Sequence, residues 1–139
     1  MAVTQILVVD DSLPWQRFMQ NLLGSQADLK IVGTAINGVQ AIEKAQELQP
    51  DVVLMDLCLP GKNGFEATTE IRTLCASSRI LFLTEHHDSE FVEAAFRAGA
   101  SGYVLKSDSF SDLLTGIRLI LRGEPFVSHS LKSRSNGGQ

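Results

Sequence analysis

The chain is short of several things, and each shortage excludes something. Only two cysteines, Cys58 and Cys75, occur in 139 residues. That is too few for a disulfide framework, and there is no Cys-x-x-Cys, so a reducing compartment is the simplest setting. No apolar run approaches the roughly 18 residues that suggest a membrane span. The opening Met1-Ala2-Val3-Thr4-Gln5 lacks a basic region and the apolar core of a signal peptide. A cytoplasmic protein without membrane contact is expected. Positive charge is also scarce: 12 Lys and Arg stand against 16 Asp and Glu, a net charge of −4. This segment therefore lacks the basic footprint of direct nucleic-acid binding.

What is present is a regular alternation of short apolar runs and amphipathic stretches. Ile6-Leu7-Val8-Val9, Leu29 to Ala35, Val52-Val53-Leu54-Met55, Ile80 to Thr84 and Gly102 to Leu105 read as strands. Between them, apolar residues recur at helical spacing: Trp15, Phe18, Met19, Leu22 and Leu23 in the first helix, Leu113, Leu114, Ile117, Ile120 and Leu121 in the last. Gly24, Gly99 and Gly123 close helices, and Pro50 ends another. Five strand–helix repeats with short connections predict an α/β fold: a flavodoxin-like (βα)5, doubly wound, five-stranded parallel sheet of order 2-1-3-4-5. The predicted domain covers residues 1–123. Residues 124–139, rich in Ser and without apolar periodicity, read as a flexible linker or tail.

Parallel strands all point one way, so the residues just past their ends collect on one edge. The first strand delivers Asp10 and Asp11, the third Asp56, the fourth Thr84 and the fifth Lys106. Taken singly these have ordinary readings: Asp10-Asp11-Ser12 as a helix cap, Thr84 as a strand-end hydroxyl, Lys106 as a solvated charge. Taken together they point to chemistry. Crowded carboxylates repel unless a cation intervenes. Mg²⁺ suits them, because it takes one or two carboxylates along with waters and phosphate oxygens. The backbone carbonyl of Cys58 offers a further oxygen. With such an ion bound, Asp56 can act as a nucleophile on phosphorus, Lys106 can offset charge on the phosphoryl oxygens, and the Thr84 hydroxyl can donate to them.

The set Asp10-Asp11, Asp56-x-x-x-Pro60-x-x-x-Gly64, Thr84 and Lys106 resembles the receiver domain of two-component response regulators, over roughly Gln5 to Arg122. The resemblance implies a phosphorylation-dependent signalling switch rather than a turnover enzyme. In it Asp56 is the phospho-acceptor; Asp10, Asp11, Asp56 and the Cys58 carbonyl hold Mg²⁺; Lys106 pairs with Asp56 and then with the phosphate. Thr84 is the switch hydroxyl, and Tyr103 is the aromatic that rotates inward when that hydroxyl moves. The donor is a phosphohistidine on a sensor histidine kinase or phosphotransfer protein. Output runs through the face of helix four, strand five and helix five, with homodimerisation on phosphorylation as one form of it.

The stretch from Ala98 to Ser107, followed by Gly123-Glu124-Pro125, is most similar to the LuxR/NarL-type subgroup. In that subgroup a linker and a helix-turn-helix DNA-binding domain follow the receiver, so the chain is expected to be the receiver part of a transcriptional regulator. Ser107 stands after Lys106 where many receivers have proline, and a cis bond there would cost about 2.5–4 kcal/mol.

Two other classes are weighed. A haloacid-dehalogenase-type phosphatase also uses an aspartyl nucleophile with Mg²⁺, but needs aspartates at i and i+2 after its first strand; Asp10 and Asp11 are adjacent. A flavin or dinucleotide binder needs a Gly- or Ser-rich phosphate loop there, and two aspartates would repel phosphate. The loop Glu85-His86-His87-Asp88 has metal-ligand residue types without the spacing of a zinc site.

Overall fold

The structure is a computed structural model and describes residues 2–131. Strands β1 (Thr4–Val9), β2 (Leu29–Ala35), β3 (Val52–Met55), β4 (Arg79–Thr84), β5 (Gly102–Leu105) and β6 (Phe126–Val127) form one sheet. Its order is β2-β1-β3-β4-β5-β6, and each neighbouring pair is parallel. Helices α1 (Leu13–Gly24), α2 (Gly38–Leu48), α3 (Gly64–Leu74), α4 (Ser89–Ala98) and α5 (Ser109–Leu121) connect the strands, and a 3₁₀ turn, Lys106–Asp108, precedes α5.

The two-residue period of the strands splits the core. Ile6 and Val8 pack with Met19, Leu23, Ile117 and Ile120 under α1 and α5. Leu7 and Val9 pack with Ala41, Ala45, Ala67 and Ile71 under α2 and α3. Both faces of β1 and β3 are thus covered, which is why these strands are apolar throughout. Side chains also fix where helices begin. Ser12 accepts from the Trp15 amide and Asn37 from the Gln40 amide, while Asn63 and Glu66 form a reciprocal capping box on α3.

The loop leading into α3 has no room for a side chain at residue 64. A Cβ on Gly64 would lie 2.5 Å from the Asp56 carbonyl oxygen and 3.0 Å from Leu57 Cα. Because backbone must shift to admit it, Gly64→Ala is expected to destabilise the fold by about 1–3 kcal/mol in a denaturant melt. An unchanged midpoint would show that the loop gives way freely.

The expected sheet was five-stranded, with a tail from residue 124. The structure keeps the order of those five strands and adds a sixth inside that segment. Phe126 and Val127 pair with Gly102 and Tyr103 to make a sixth strand. Phe126 enters the core beside α5, where the missing Cβ of Gly116 leaves space for its ring: a Cβ there would stand 2.9 Å from Phe126 Cδ2. Leu131 joins the core on the opposite face. Two apolar residues are too few to read as a strand; they form one because β5 offers an open edge. Residues 132–139 of the expected linker lie outside the described residues.

Two carboxylates fasten this added segment. The Ser128 hydroxyl donates to Asp108 and accepts from the Leu105 amide, and the Ser130 hydroxyl donates to Asp108 at 2.9 Å. The His129 amide donates to Asp112 at 2.9 Å, and the His129 ring Nδ1 lies 2.8 Å from the same carboxylate oxygen. The hydrogen bond that the His129 ring donates to Asp112, with the charges of Asp112 and Asp108, holds the imidazole above its ordinary value. A raised folded value means that His129 contributes fully below the unfolded histidine value and loses its contribution as pH rises through the folded one. Thermal melts of the protein and of His129→Gln should therefore differ most below the ordinary histidine value and converge as pH rises past the raised folded one. A gap independent of pH would assign the contact to packing alone.

Candidate functional site

The main chain places the acids. The Asp10 amide donates to the Ala35 carbonyl and the Asp56 amide to the Val9 carbonyl, each at 3.0 Å, so the ladders continue one residue past β1 and β3. Gln16, buried at the base of α1, donates to the Asp10 carbonyl at 2.7 Å. Asp10 Oδ1 accepts from the Ser12 amide at 2.8 Å. The aspartate thus shapes the turn into α1 and serves the rim at once, so its capping and site readings are not exclusive.

Oxygens of Asp10, Asp11 and Asp56 all lie within 4.8 Å of one another. Asp10 is 1% exposed and Asp56 8%, while Asp11 faces solvent. Lys106 Nζ reaches the group from the far side, 2.9 Å from Asp10 Oδ2 and 3.5 Å from Asp56 Oδ2. Burial, reinforced by the Asp10 charge and opposed by Lys106, pushes the Asp56 carboxyl above the usual carboxylate range. Burial alone would depress Lys106, but the hydrogen bond to Asp10 and the charges of Asp56 and Asp10 carry the ammonium above its ordinary value. It is therefore charged at neutral pH.

The residues present fit a hard divalent cation. Three carboxylates against the Lys106 ammonium leave a formal charge near minus two. Asp10 Oδ2 is buried, and among the described residues only the Lys106 ammonium, 2.9 Å away, stands as its partner. Such an oxygen is suited to a metal ion. Cys58 lies at the wall of an open cavity of about 500 Å³ that Asp11, Pro60, His86 and Phe91 also line. Burial and the charges of Asp56 and Asp11 raise its thiol above the usual cysteine value.

Thr84 is buried at the end of β4, and its hydroxyl oxygen lies 3.4 Å from the His86 amide that donates to it. Tyr103 is fully buried, not half-buried as its strand position alone suggests. Its ring stacks on Phe82 at 6.0 Å, and its hydroxyl donates to the His86 carbonyl at 2.7 Å. Burial first, then the charge of Asp88, keeps that phenol protonated and donating. The Lys106–Ser107 bond is trans, as are all peptide bonds among the described residues.

Sequence reasoning missed several contacts here. The His86 ring meets Cys58 Sγ at 2.9 Å and the edge of Phe91, so it bridges two loops across the rim. The Glu85–Asp88 stretch belongs to no three-residue metal-capable group among the described residues. Trp15 lies over Lys106, with Nζ 4.9 Å from the ring centroid. No local pattern announces the Cys58–His86 and Trp15–Lys106 pairs, because each joins segments far apart in sequence.

A parallel sheet with this acid cluster and lysine at its carboxyl rim defines a class. Residues 6–118 match the response regulator receiver domain family, and the chain belongs to it. It is 38% identical over 128 residues to the oxygen regulatory protein NreC of Staphylococcus aureus (strain JH9), a match covering 91% of this chain and 59% of NreC. The chain thus spans about three-fifths of the length of the curated relatives it matches. Among solved structures, a LuxR-family two-component response regulator from Aurantimonas sp. SI85-9A1 superposes with a TM-score of 0.90 at 36% identity, covering 95% of this chain and 94% of that one. The response regulator domain of Thermotoga maritima CheB superposes with a TM-score of 0.81 at 33% identity, over 86% of this chain and 97% of that one. The resemblance to LuxR/NarL-type receivers therefore holds. None of the described helices is long and apolar enough to cross a membrane.

Proposed function

We propose that this receiver accepts a phosphoryl group on Asp56 from a phosphohistidine of a sensor kinase or phosphotransfer protein, and that the modification switches its binding surface. The observation that carries the reading is the meeting of three carboxylates within 4.8 Å with a buried lysine. An Asp56 oxygen forms the new bond to phosphorus as the P–N bond of the donor breaks. The electron pair stays on the imidazole nitrogen, which takes up a proton. Asp56 is the suited nucleophile: it ends a central strand, and its contact from Lys106 is the longer of the two, at 3.5 Å. Asp10 and Asp11, with Asp56 and the Cys58 carbonyl, are the residues to hold Mg²⁺. When bound, that ion supplies charge neutralisation on the transferring group. Lys106 offsets the remaining charge on the phosphoryl oxygens.

Thr84 is the hydroxyl to follow the phosphoryl group. Its movement bears on the loop to which Tyr103 is tied through the His86 carbonyl, and so on the surface of α4, β5 and α5. In this reading the chain works in the cytoplasm as the receiver part of a LuxR-type transcriptional regulator, with phosphorylation favouring a homodimer.

The test is incubation with Mg²⁺ and acetyl phosphate, read by intact mass. One phosphoryl increment is expected, dependent on the divalent cation and absent from Asp56→Asn. If neither acetyl phosphate nor a phosphohistidine donor labels the protein, or labelling survives in Asp56→Asn, the assignment of the acceptor is wrong.

A further inference from the structure

Among the described residues the Lys106 ammonium meets the two carboxylates already described and one further group. The third is the face of Trp15, 4.9 Å from Nζ to the ring centroid. That ring is itself fixed. Pro14 opens the first turn of α1, the Trp15 amide is held by the Ser12 hydroxyl, and Phe18 braces the indole edge-on at 5.3 Å. The indole is half-buried and Lys106 only 7% exposed. Trp15 therefore forms a wall between the ammonium and solvent, contributed by an element remote in sequence from β5.

This arrangement matters because the hydrogen-bonding partners of Lys106 must change. At rest its shorter contact is with Asp10, 2.9 Å against 3.5 Å for Asp56. A phosphoryl group arriving at Asp56 needs the same ammonium. A hydrogen bond is directional, whereas the attraction of a cation to an aromatic face tolerates sliding across the ring. The indole can keep hold of the charge while one oxygen partner gives way to another. A four-carbon stem with no such wall would let the ammonium swing out to water.

We propose that Trp15 is a positioning residue for Lys106, its indole face confining the ammonium to the rim between Asp10 and Asp56 so that it meets the incoming phosphoryl group. The inference rests on the receiver reading above, although the contact itself does not.

Two measurements on the full chain test it. The first uses Trp15 as its own probe, since it is the only tryptophan. With Mg²⁺ but no phosphodonor, indole emission is compared between the wild type and Lys106→Met, which keeps a long apolar stem without the charge. Emission intensity or maximum is expected to differ. The second compares the rate of labelling by acetyl phosphate in Trp15→Phe and Trp15→Leu, each checked by circular dichroism to be folded. Phenylalanine should retain most of the rate. Leucine, apolar but with no π-face, should lower it by about three- to thirty-fold, the range from an exposed to a desolvated cation–aromatic contact. Identical emission with and without the ammonium, or equal rates for the Phe and Leu variants, would overturn the proposal. If the wild type takes no phosphoryl group from any donor, the receiver reading fails instead, and the emission comparison still decides whether the indole senses Lys106.

Discussion

Asp56→Asn should be more stable than the parent protein when no divalent cation is present, while losing all capacity to be phosphorylated. In the folded chain the Asp56 carboxyl ionises above the ordinary carboxylate range because it is buried and faces Asp10. The unfolded chain releases that proton at lower pH. Between the two values the folded state binds more protons, so stability falls as pH rises through this window. Above it, the ionised Asp56 is a standing cost; below the unfolded carboxylate value the cost vanishes. Asparagine keeps the shape and removes the charge, so metal-free melts at neutral pH should shift upward by roughly 1–2 kcal/mol. The gain should shrink toward acidic pH. A variant less stable than the parent at neutral pH would show that the Lys106 attraction outweighs burial and the Asp10 repulsion. The ionised Asp56 is thus held in an unfavourable state by its burial and by Asp10.

The opposite result is expected for Lys106→Met. It removes the ammonium lying 2.9 Å from Asp10 and 3.5 Å from Asp56 and leaves both carboxylates buried without their counter-charge. Losing one partner of a buried ionic group costs about 3–5 kcal/mol; at this partly open rim roughly 3 kcal/mol is expected, seen as a lower melting temperature in the presence of a chelator. Mg²⁺ should then restore more stability to the variant than it adds to the wild type, because binding to the folded state alone stabilises by mass action and the variant site is the more negative. Melts with and without Mg²⁺ supply the check. If the cation shifts both proteins equally, the carboxylates and the lysine are not coupled in the way their distances imply. Together the two variants separate the electrostatic roles: one removes a buried carboxylate charge and relieves repulsion, the other removes the counter-charge and exposes it.

Much of this molecule is legible in its sequence. The runs Ile6–Val9 and Val52–Met55 ending in aspartates were enough to place Asp10, Asp11 and Asp56 on one edge, because parallel strands deliver their last residues to the same side. Thr84 and Lys106 followed from the same rule. A strand's direction and a helix's period are local properties, and local properties are written in consecutive residues. The sixth strand was not legible. Phe126-Val127 has no periodicity to detect, and it pairs only because β5 presents an edge and Gly116 leaves room for the phenyl ring.

The sequence by itself determined the fold class, the order of elements and which charged groups share the rim. Tertiary structure alone decided how those groups pair. Lys106 leans on Asp10 more closely than on Asp56, Trp15 covers the ammonium, His86 spans from Tyr103 to Cys58, and Asp108 and Asp112 bind the segment after α5. The physical reason is range. Burial patterns and caps act over a few residues, whereas the strength of a charge pair depends on distances of a few ångströms between atoms that the chain brings together only after it has folded.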